Sequence, residues 1–334
     1  MPGFELFLKD NYKRIDKHLS TYFETPIAHA DMYEYLYGPL AKYSANSGKR
    51  HRPLICMLAC EAVGGDVSRV QRSAAAVEHF HTAALIHDDI EDGALTRRGE
   101  PAMHISQGEG IAINAGDLAL SLVTGSVVDD EGLDPELKVR ILKELVDMTT
   151  RTIEGQALDI GWARDGRFDL TVDDYLTMAT HKTAHYSGAV PLAIGAIIGG
   201  ADDETVEVLR GFGLAAGLAF QIQDDILNLV GSDKSKDFRI DITEGKRTLV
   251  ALHALTHSPD ARRLLEILES RTTDPARMEE AVAIMRQAGS IDYATAYAQD
   301  LVRTAKKHLD EALDRSKAKR LLLSMADFFI QRQG

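Results

Sequence analysis

Apolar residues recur at three- and four-residue spacing along almost the whole chain, the period of a helix that turns one face to a core. The punctuation consists of Gly, Asp and Ser clusters, not of the strict alternation that marks half-buried strands. The spacing predicts helices over Phe4–Tyr22, Met32–Tyr43, Arg52–Val63, Val67–Asp92, Gly110–Val128, Pro135–Leu158, Val172–Thr180 and His185–Ile198. Further helices are predicted over Asp203–Val230, Lys246–Thr256, Asp260–Ser270, Pro275–Ala288, Ile291–Ala312 and Lys317–Gln331. No repeat, low-complexity tract or Pro/Ser-rich linker divides them, so the expectation is an all-α fold in a single domain over residues 1–334.

Composition adds exclusions. With 45% hydrophobic and 27% charged residues, the 334-residue chain is neither disordered nor disulfide-stapled, and only 9 prolines interrupt its helices. The 38 Lys+Arg against 51 Asp+Glu give a net charge of -13, which argues against general binding to nucleic acid or anionic lipid. The two cysteines, Cys56 and Cys60, lie four apart and build no disulfide framework, so a reducing, cytoplasmic setting is expected. The N-terminus lacks the basic start and apolar run of a signal peptide. The most apolar stretch, Tyr186–Ala201, is 16 residues long with Pro191 and four glycines, which reads as a core helix and not as a membrane span.

Two acidic clusters carry the chemistry. The apolar run Ala74–Gly93 ends in Asp88, Asp89, Glu91 and Asp92, where free carbonyls already carry partial negative charge. Carboxylates gathered there call for a compensating cation. Asp88 and Asp92 share a helix face, one turn apart, and can offer oxygens to one hard cation such as Mg²⁺. A second apolar run, Gly213–Gly231, repeats the arrangement with Asp224, Asp225 and Asn228. Either cluster alone is more often a solvated face. The pair, able to face each other across a bundle, favours metal binding. Basic residues follow closely: Gly48-Lys49-Arg50-His51-Arg52-Pro53, Arg97-Arg98-Gly99, Lys182-Thr183, Lys234, Lys236 and Gly245-Lys246-Arg247-Thr248. Surface ion pairing would be worth only ~0–1 kcal/mol per pair. A polyanion bridged by Mg²⁺ and gripped by Arg and Lys accounts for both signs of charge.

These residues resemble the trans-isoprenyl diphosphate synthases, most closely the geranylgeranyl type. Asp88-Asp89-Ile90-Glu91-Asp92 is similar to the first aspartate-rich motif, DDxxD, with Arg97-Arg98-Gly99 at the expected distance. Gln221-Ile222-Gln223-Asp224-Asp225 is similar to the second motif, and Gly48 to Pro53 to the GKRxRP element. The resemblance implies an all-α bundle around a deep cavity, usually a homodimer. It implies that Asp88, Asp92 and Asp224 hold three Mg²⁺ ions, for which Mn²⁺ can substitute, on an allylic diphosphate. Asp89 and Asp225 would support them. Arg97, Lys182, Lys246 and Lys236 would hold the same diphosphate, and Lys49, Arg52, His81 and Arg98 the isopentenyl diphosphate. Gln221, Thr183 and the Lys182 carbonyl would stabilise the allylic cation. Two departures stand out: Asn228 replaces a common Asp, and Ser235–Asp241 lacks the Gly-Lys and Gly-Gly-Asp elements of bacterial members.

The same resemblance places product length upstream of Asp88. Ala84 and Ala83, four and five residues earlier, occupy positions where a bulky aromatic closes the tunnel after C15. Phe80, a further turn down, becomes the floor, and a turn of ~5.4 Å is roughly one isoprene unit. A C20 product is expected, with C25 or longer as the alternative. Other classes remain: an HD-type metal phosphohydrolase on His87-Asp88 with His79 and His81, a terpene cyclase, and a non-catalytic subunit. The first leaves Asp224-Asp225 and the basic elements unused. The second does not need the Lys49, Arg52 and Arg98 set. The third would be free to lose an acidic motif, and both are intact.

Overall fold

The computed structural model describes residues 3–24, 28–46, 48–231 and 239–331. In chain order its helices are α1 (Phe4–Ser20), α2 (Ala30–Met32), α3 (Gly38–Ala45), α4 (His51–Ala62), α5 (Gln71–Glu91), α6 (Met103–Gln107), α7 (Glu109–Val128), α8 (Pro135–Arg164), α9 (Val172–Ala179), α10 (Val190–Ile198), α11 (Asp203–Val230), α12 (Ile240–Glu244), α13 (Leu249–His257), α14 (Ala261–Glu269), α15 (Pro275–Gln287), α16 (Ser290–Ala312) and α17 (Lys317–Gln331). Among the described residues the strand content is one small hairpin, Thr96–Arg97 paired antiparallel with Glu100–Pro101. The fold is all-α, as the spacing predicts.

Two compact units are present. One comprises Met1–Thr149, Val190–Glu207 and Leu313–Leu322; the other comprises Thr150–Ala189, Val208–Ala312 and Leu323–Gly334. The boundaries at 149/150 and 207/208 fall inside α8 and α11, so no linker marks them in the sequence. In the first unit α5 packs along α7 and α4 along α10. Ala83, Ile86, Ala112, Ala115 and Ala119 are buried together in the α5–α7 seam. Gly195 of α10 lies so close to α4 that a Cβ would come within 2.0 Å of the Cys56 carbonyl oxygen. In the second unit α13 packs on α9, α14 and α16.

Three expectations need correction. The polar run His181–Ala184, expected to break the chain between two helices, is helical: Thr180–Ala189 forms a π-helix that leads into α10. An extra residue per turn lets the helical hydrogen bonding continue while the polar side chains are re-aimed. Helix α8 runs on to Arg164, past the expected end at Leu158. Its stop is Gly166, at φ 64°, where Arg167 N–H donates to the Trp162 carbonyl and Gly166 N–H to that of Ala163. Expected Met32–Tyr43 is interrupted by a π-helical turn, Tyr33–Tyr37, before α3. Helices α7 and α11 are long and apolar enough to cross a membrane, a property shared by core helices, and the apolar windows are 39% and 50% buried.

Candidate active site

In the first unit, α5 ends at Gly93, with φ 62°, where Ala94 N–H donates to the Asp89 carbonyl and Gly93 N–H to that of Ile90. This stop sets the acidic cluster on the last turn. Asp88 is half-buried and Asp92 exposed, while Asp89 turns inward and is 1% exposed. The hairpin that follows turns at Arg98 and Gly99, both at positive φ, 54° and 82°, the backbone of a tight two-residue turn. It returns Arg97 to the helix: Arg97 Nε donates to Asp89 Oδ1 at 2.7 Å, Nη2 donates to the same oxygen, and Nη2 lies 3.6 Å from Asp88 Oδ2. Tyr43 of α3 donates its hydroxyl to Asp89 Oδ2 at 3.0 Å. Burial alone would lower the Arg97 pKa, but the hydrogen bond and charge of Asp89 outweigh it and hold it above its ordinary value.

Arg52, His81 and Arg98 gather in the same unit. Arg98 Nη1 donates to the Asn46 carbonyl at 2.7 Å, and its Nη2 packs on Gly48, where a Cβ would come within 2.7 Å. Lys49 is next in sequence to Gly48. Burial, reinforced by the charges of Arg52, His51 and Arg98, holds the His81 pKa well below the usual histidine range, so the ring is neutral. Arg50 anchors the segment. Its backbone is left-handed, φ 50°, and its 3%-exposed side chain donates to Asp16 Oδ1 at 2.7 Å, to Glu78 Oε1 at 2.6 Å and to the Ser44 carbonyl. A strained, buried residue thus sits between Lys49 and Arg52.

In the second unit, the π-helix carries Lys182 and Thr183. Lys182 Nζ donates to Asp159 Oδ2 of α8 at 2.5 Å. Gly155 of α8 leaves no room between the helices: a Cβ there would lie 2.2 Å from the Lys182 nitrogen. Burial would raise the Asp159 pKa, but Lys182 and Lys246 outweigh it and hold the carboxyl below the usual range. Thr183 Oγ1 donates to Gln221 Oε1 at 2.8 Å, Gln221 Nε2 donates to Asp225 Oδ1 at 2.8 Å, and the Tyr175 hydroxyl donates to Asp225 Oδ2 at 2.7 Å. Helix α12 ends at Gly245, φ 63°, with Lys246 N–H donating to the Asp241 carbonyl, and Asn228 Oδ1 accepts from the Asp241 N–H. Burial pushes Asp225 and Asp241 up from the carboxylate range, helped by Asp224 for the first and by Asp225 for the second, while Lys246 opposes both shifts.

The donor chemistry fits Mg²⁺. Among the described residues no three carboxylates or imidazoles converge as a ready cage, and Mg²⁺ does not ask for one: it takes one or two carboxylates, waters and substrate phosphate oxygens. Asp88 and Asp92, ~40° apart around α5, offer such a pair, and Asp224 offers one more carboxylate on α11. Lys236 lies outside the described residues. Of the chain-length positions, Ala84 is half-buried and ~40° from Asp88 around the helix, while Phe80, 3% exposed, is ~80° away. Ala83 is fully buried against α7.

Tyr43, Gly155, Asp159, Tyr175 and Asp241 were not anticipated from the pattern. Two of them carried a signal: Leu158-Asp159-Ile160 and Ile240-Asp241-Ile242 each set a lone acid between apolar neighbours, where an ion pair or metal is the usual reason for a charge. The tyrosines and Gly155 carried none, because phenols and glycines in helices are ordinary core residues.

The fold and site define a helical protein with two aspartate doublets, the first held by Arg97 and the second by Gln221 and Tyr175. The polyprenyl synthetase family profile matches residues 33–285. The chain is 40% identical over 303 residues to a geranylfarnesyl diphosphate synthase of Natronomonas pharaonis, covering 85% of this chain and 86% of that one. It superposes on the geranylgeranyl pyrophosphate synthetase of Pyrococcus horikoshii with a TM-score of 0.90, at 33% identity and 98% coverage of both chains. It also superposes on a geranylgeranyl pyrophosphate synthase of Corynebacterium glutamicum complexed with isoprenyl diphosphate and magnesium, with a TM-score of 0.86, 28% identity and 98% coverage of both. The chain belongs to the polyprenyl synthetase family and is a prenyltransferase.

Proposed function

We propose that the enzyme condenses isopentenyl diphosphate with dimethylallyl, geranyl or farnesyl diphosphate, and that its main product is C20 geranylgeranyl diphosphate. The observation that carries this reading is that each unit holds an aspartate doublet with cations in its neighbourhood: Arg97 on Asp88 and Asp89 in the first, and in the second Asp224-Asp225 with Lys182 held by Asp159 and Lys246 held by Glu244. Asp88, Asp92 and Asp224 would hold Mg²⁺, which when bound to the diphosphate offsets its negative charge as the C–O bond breaks. Arg97, Lys182 and Lys246 grip the departing diphosphate. The Thr183 and Gln221 oxygens and the Lys182 carbonyl face the allylic cation, their dipoles fixed before the charge appears. Lys49, Arg52, His81 and Arg98 present isopentenyl diphosphate, whose double bond attacks the cation. The departed diphosphate then takes the proton. Apolar packing around α5 keeps water from quenching the cation.

The product length rests on Ala84 and Ala83 leaving the tunnel open to Phe80; similarity to both geranylgeranyl and geranylfarnesyl synthases supports C20 with C25 next. A homodimer is the second part of the reading. Val139, Val146, Ile153 and Ile160 recur every seven residues along α8 and are 52%, 57%, 60% and 40% exposed, a stripe suited to burial against a second copy. Sedimentation equilibrium of Val146→Glu tests it: a monomer is expected, and an unchanged dimer refutes the stripe.

Incubation of the purified chain with Mg²⁺, labelled isopentenyl diphosphate and each allylic primer tests the function. Chain elongation is expected. Hydrocarbon release would favour a cyclase, and no turnover a non-catalytic subunit. In the same assay, unchanged C20 output from Phe80→Ala would remove Phe80 as the floor.

A further inference from the structure

The two aspartate doublets are held in the same way. In each, the second aspartate is withdrawn from solvent, Asp89 at 1% and Asp225 at 6% exposure. In each, one carboxylate oxygen accepts a tyrosine hydroxyl from another helix: Tyr43 of α3 on Asp89 Oδ2 at 3.0 Å, and Tyr175 of α9 on Asp225 Oδ2 at 2.7 Å. The other oxygen accepts from a side chain that the proposed mechanism uses. For Asp89 that donor is Arg97, and for Asp225 it is the Gln221 amide. Tyr175 is itself 1% exposed, and the Tyr43 ring packs against the apolar cluster of α5 and α7, so both hydroxyls are placed by packed rings.

The geometry has a consequence for each carboxylate. An ionised aspartate is acceptor-only, and its two oxygens are equivalent until something distinguishes them. A phenol fixed on Oδ2 leaves Oδ1 as the acceptor and sets the plane of the group. Arg97 must then approach Asp89 along Oδ1. The Gln221 amide must turn its NH₂ to Asp225, which leaves its oxygen toward Thr183 Oγ1 at 2.8 Å. An amide not held in this way flips between its two orientations, which look alike in shape and are opposite in dipole.

We propose that Tyr43 and Tyr175 are matched positioning residues: Tyr43, through Asp89, orients the Arg97 guanidinium on the diphosphate, and Tyr175, through Asp225, orients the Gln221 amide on the allylic cation. This rests on the functional reading of Arg97 and Gln221 given above. The two act on different steps. Tyr43 governs the grip on pyrophosphate, which exists in ground state and transition state alike. Tyr175 governs charge that develops only during ionisation.

Tyr43→Phe and Tyr175→Phe each remove one oxygen and keep the ring. Calorimetric binding of inorganic pyrophosphate in the presence of Mg²⁺ gives a readout independent of turnover, and steady-state kinetics and thermal melts complete it. Tyr43→Phe should weaken pyrophosphate binding roughly 3–10-fold, the usual net worth of one hydrogen bond, with KM for isopentenyl diphosphate within about twofold of the unaltered enzyme. Tyr175→Phe should leave pyrophosphate binding within about twofold and lower kcat at least ~10-fold. In an Asp89→Asn background, Tyr43→Phe should add nothing further to the pyrophosphate defect, because the path through the carboxylate is already altered. Pyrophosphate binding unaffected by Tyr43→Phe overturns the proposal, as does an equal loss of binding and kcat in both variants, which is what general loosening would give. Absence of chain elongation by the unaltered enzyme would instead strike the functional reading itself.

Discussion

Gly155→Ala separates a loss of geometry from a loss of stability. The added Cβ would meet the Lys182 nitrogen at 2.2 Å, its Cα at 2.7 Å and the His181 carbonyl carbon at 2.8 Å. All three are backbone atoms, so no side chain can rotate aside. Reaching an ordinary contact of 3.4 Å requires a displacement of 3.4 − 2.2 = 1.2 Å, taken up by the π-helix that carries Lys182 and Thr183. Overpacking of this kind costs ~1–3 kcal/mol. Alanine recovers up to ~1 kcal/mol of helix propensity, so the net destabilisation is ~0–2 kcal/mol and the melting point falls by a few degrees at most. A shift of ~1 Å in a catalytic group costs about 100-fold in rate. The expected signature is therefore a kcat lowered about 100-fold in a protein that melts almost normally, read by steady-state elongation kinetics beside calorimetry. Gly161→Ala on the same helix, where an added Cβ meets nothing within 4 Å, should keep full activity and melt slightly higher. A Gly155→Ala enzyme with kcat within about threefold of the unaltered protein would refute the claim that the α8 backbone fixes Lys182.

Arg50→Met should strand Glu78, 2% exposed in its side chain, without its cation; a loss of ~3–5 kcal/mol is expected, seen as a melting point lower by ~10 °C, and Arg50→Met/Glu78→Leu should recover most of it. Asp241→Asn tests the raised pKa of a carboxyl pushed up by burial and by Asp225. With the folded pKa above the unfolded one, stability is gained as pH falls below the raised value and lost as pH rises through it. In metal-free buffer the Asn variant should thus melt above the unaltered protein near pH 8, and the gap should narrow steadily as pH falls and close only near pH 4, where the unfolded chain also takes up the proton; an equal gap at pH 8 and pH 4 would contradict the assignment. Ala84→Phe, on the half-buried side of α5 that carries Asp88, should shorten the main product to C15, read by chromatography of the dephosphorylated alcohols.

What the sequence disclosed follows from what repeats and what carries charge. Apolar spacing sufficed for most of the helices because each buries one face, and Gly93 was visible as a stop because a left-handed turn after a helix favours glycine, whereas the five-residue helix Ile240–Glu244 was too short to show a period. The acidic doublets were legible because unbalanced charge at the end of an apolar helix has few explanations. The π-helix Thr180–Ala189 was not, since one extra residue in a turn destroys the periodicity by which helices are recognised, and it does so where Lys182 and Thr183 must be re-aimed. Asp159 showed only as a lone acid with no visible partner, and Tyr43 and Tyr175 escaped for a related reason. Their importance lies in partners 23, 46 and 50 residues away in sequence, and a single chain records a side chain's type but not the plane in which a distant carboxylate is held. The groups expected to touch substrate were therefore readable from charge, whereas those that orient them became visible only once the helices were packed.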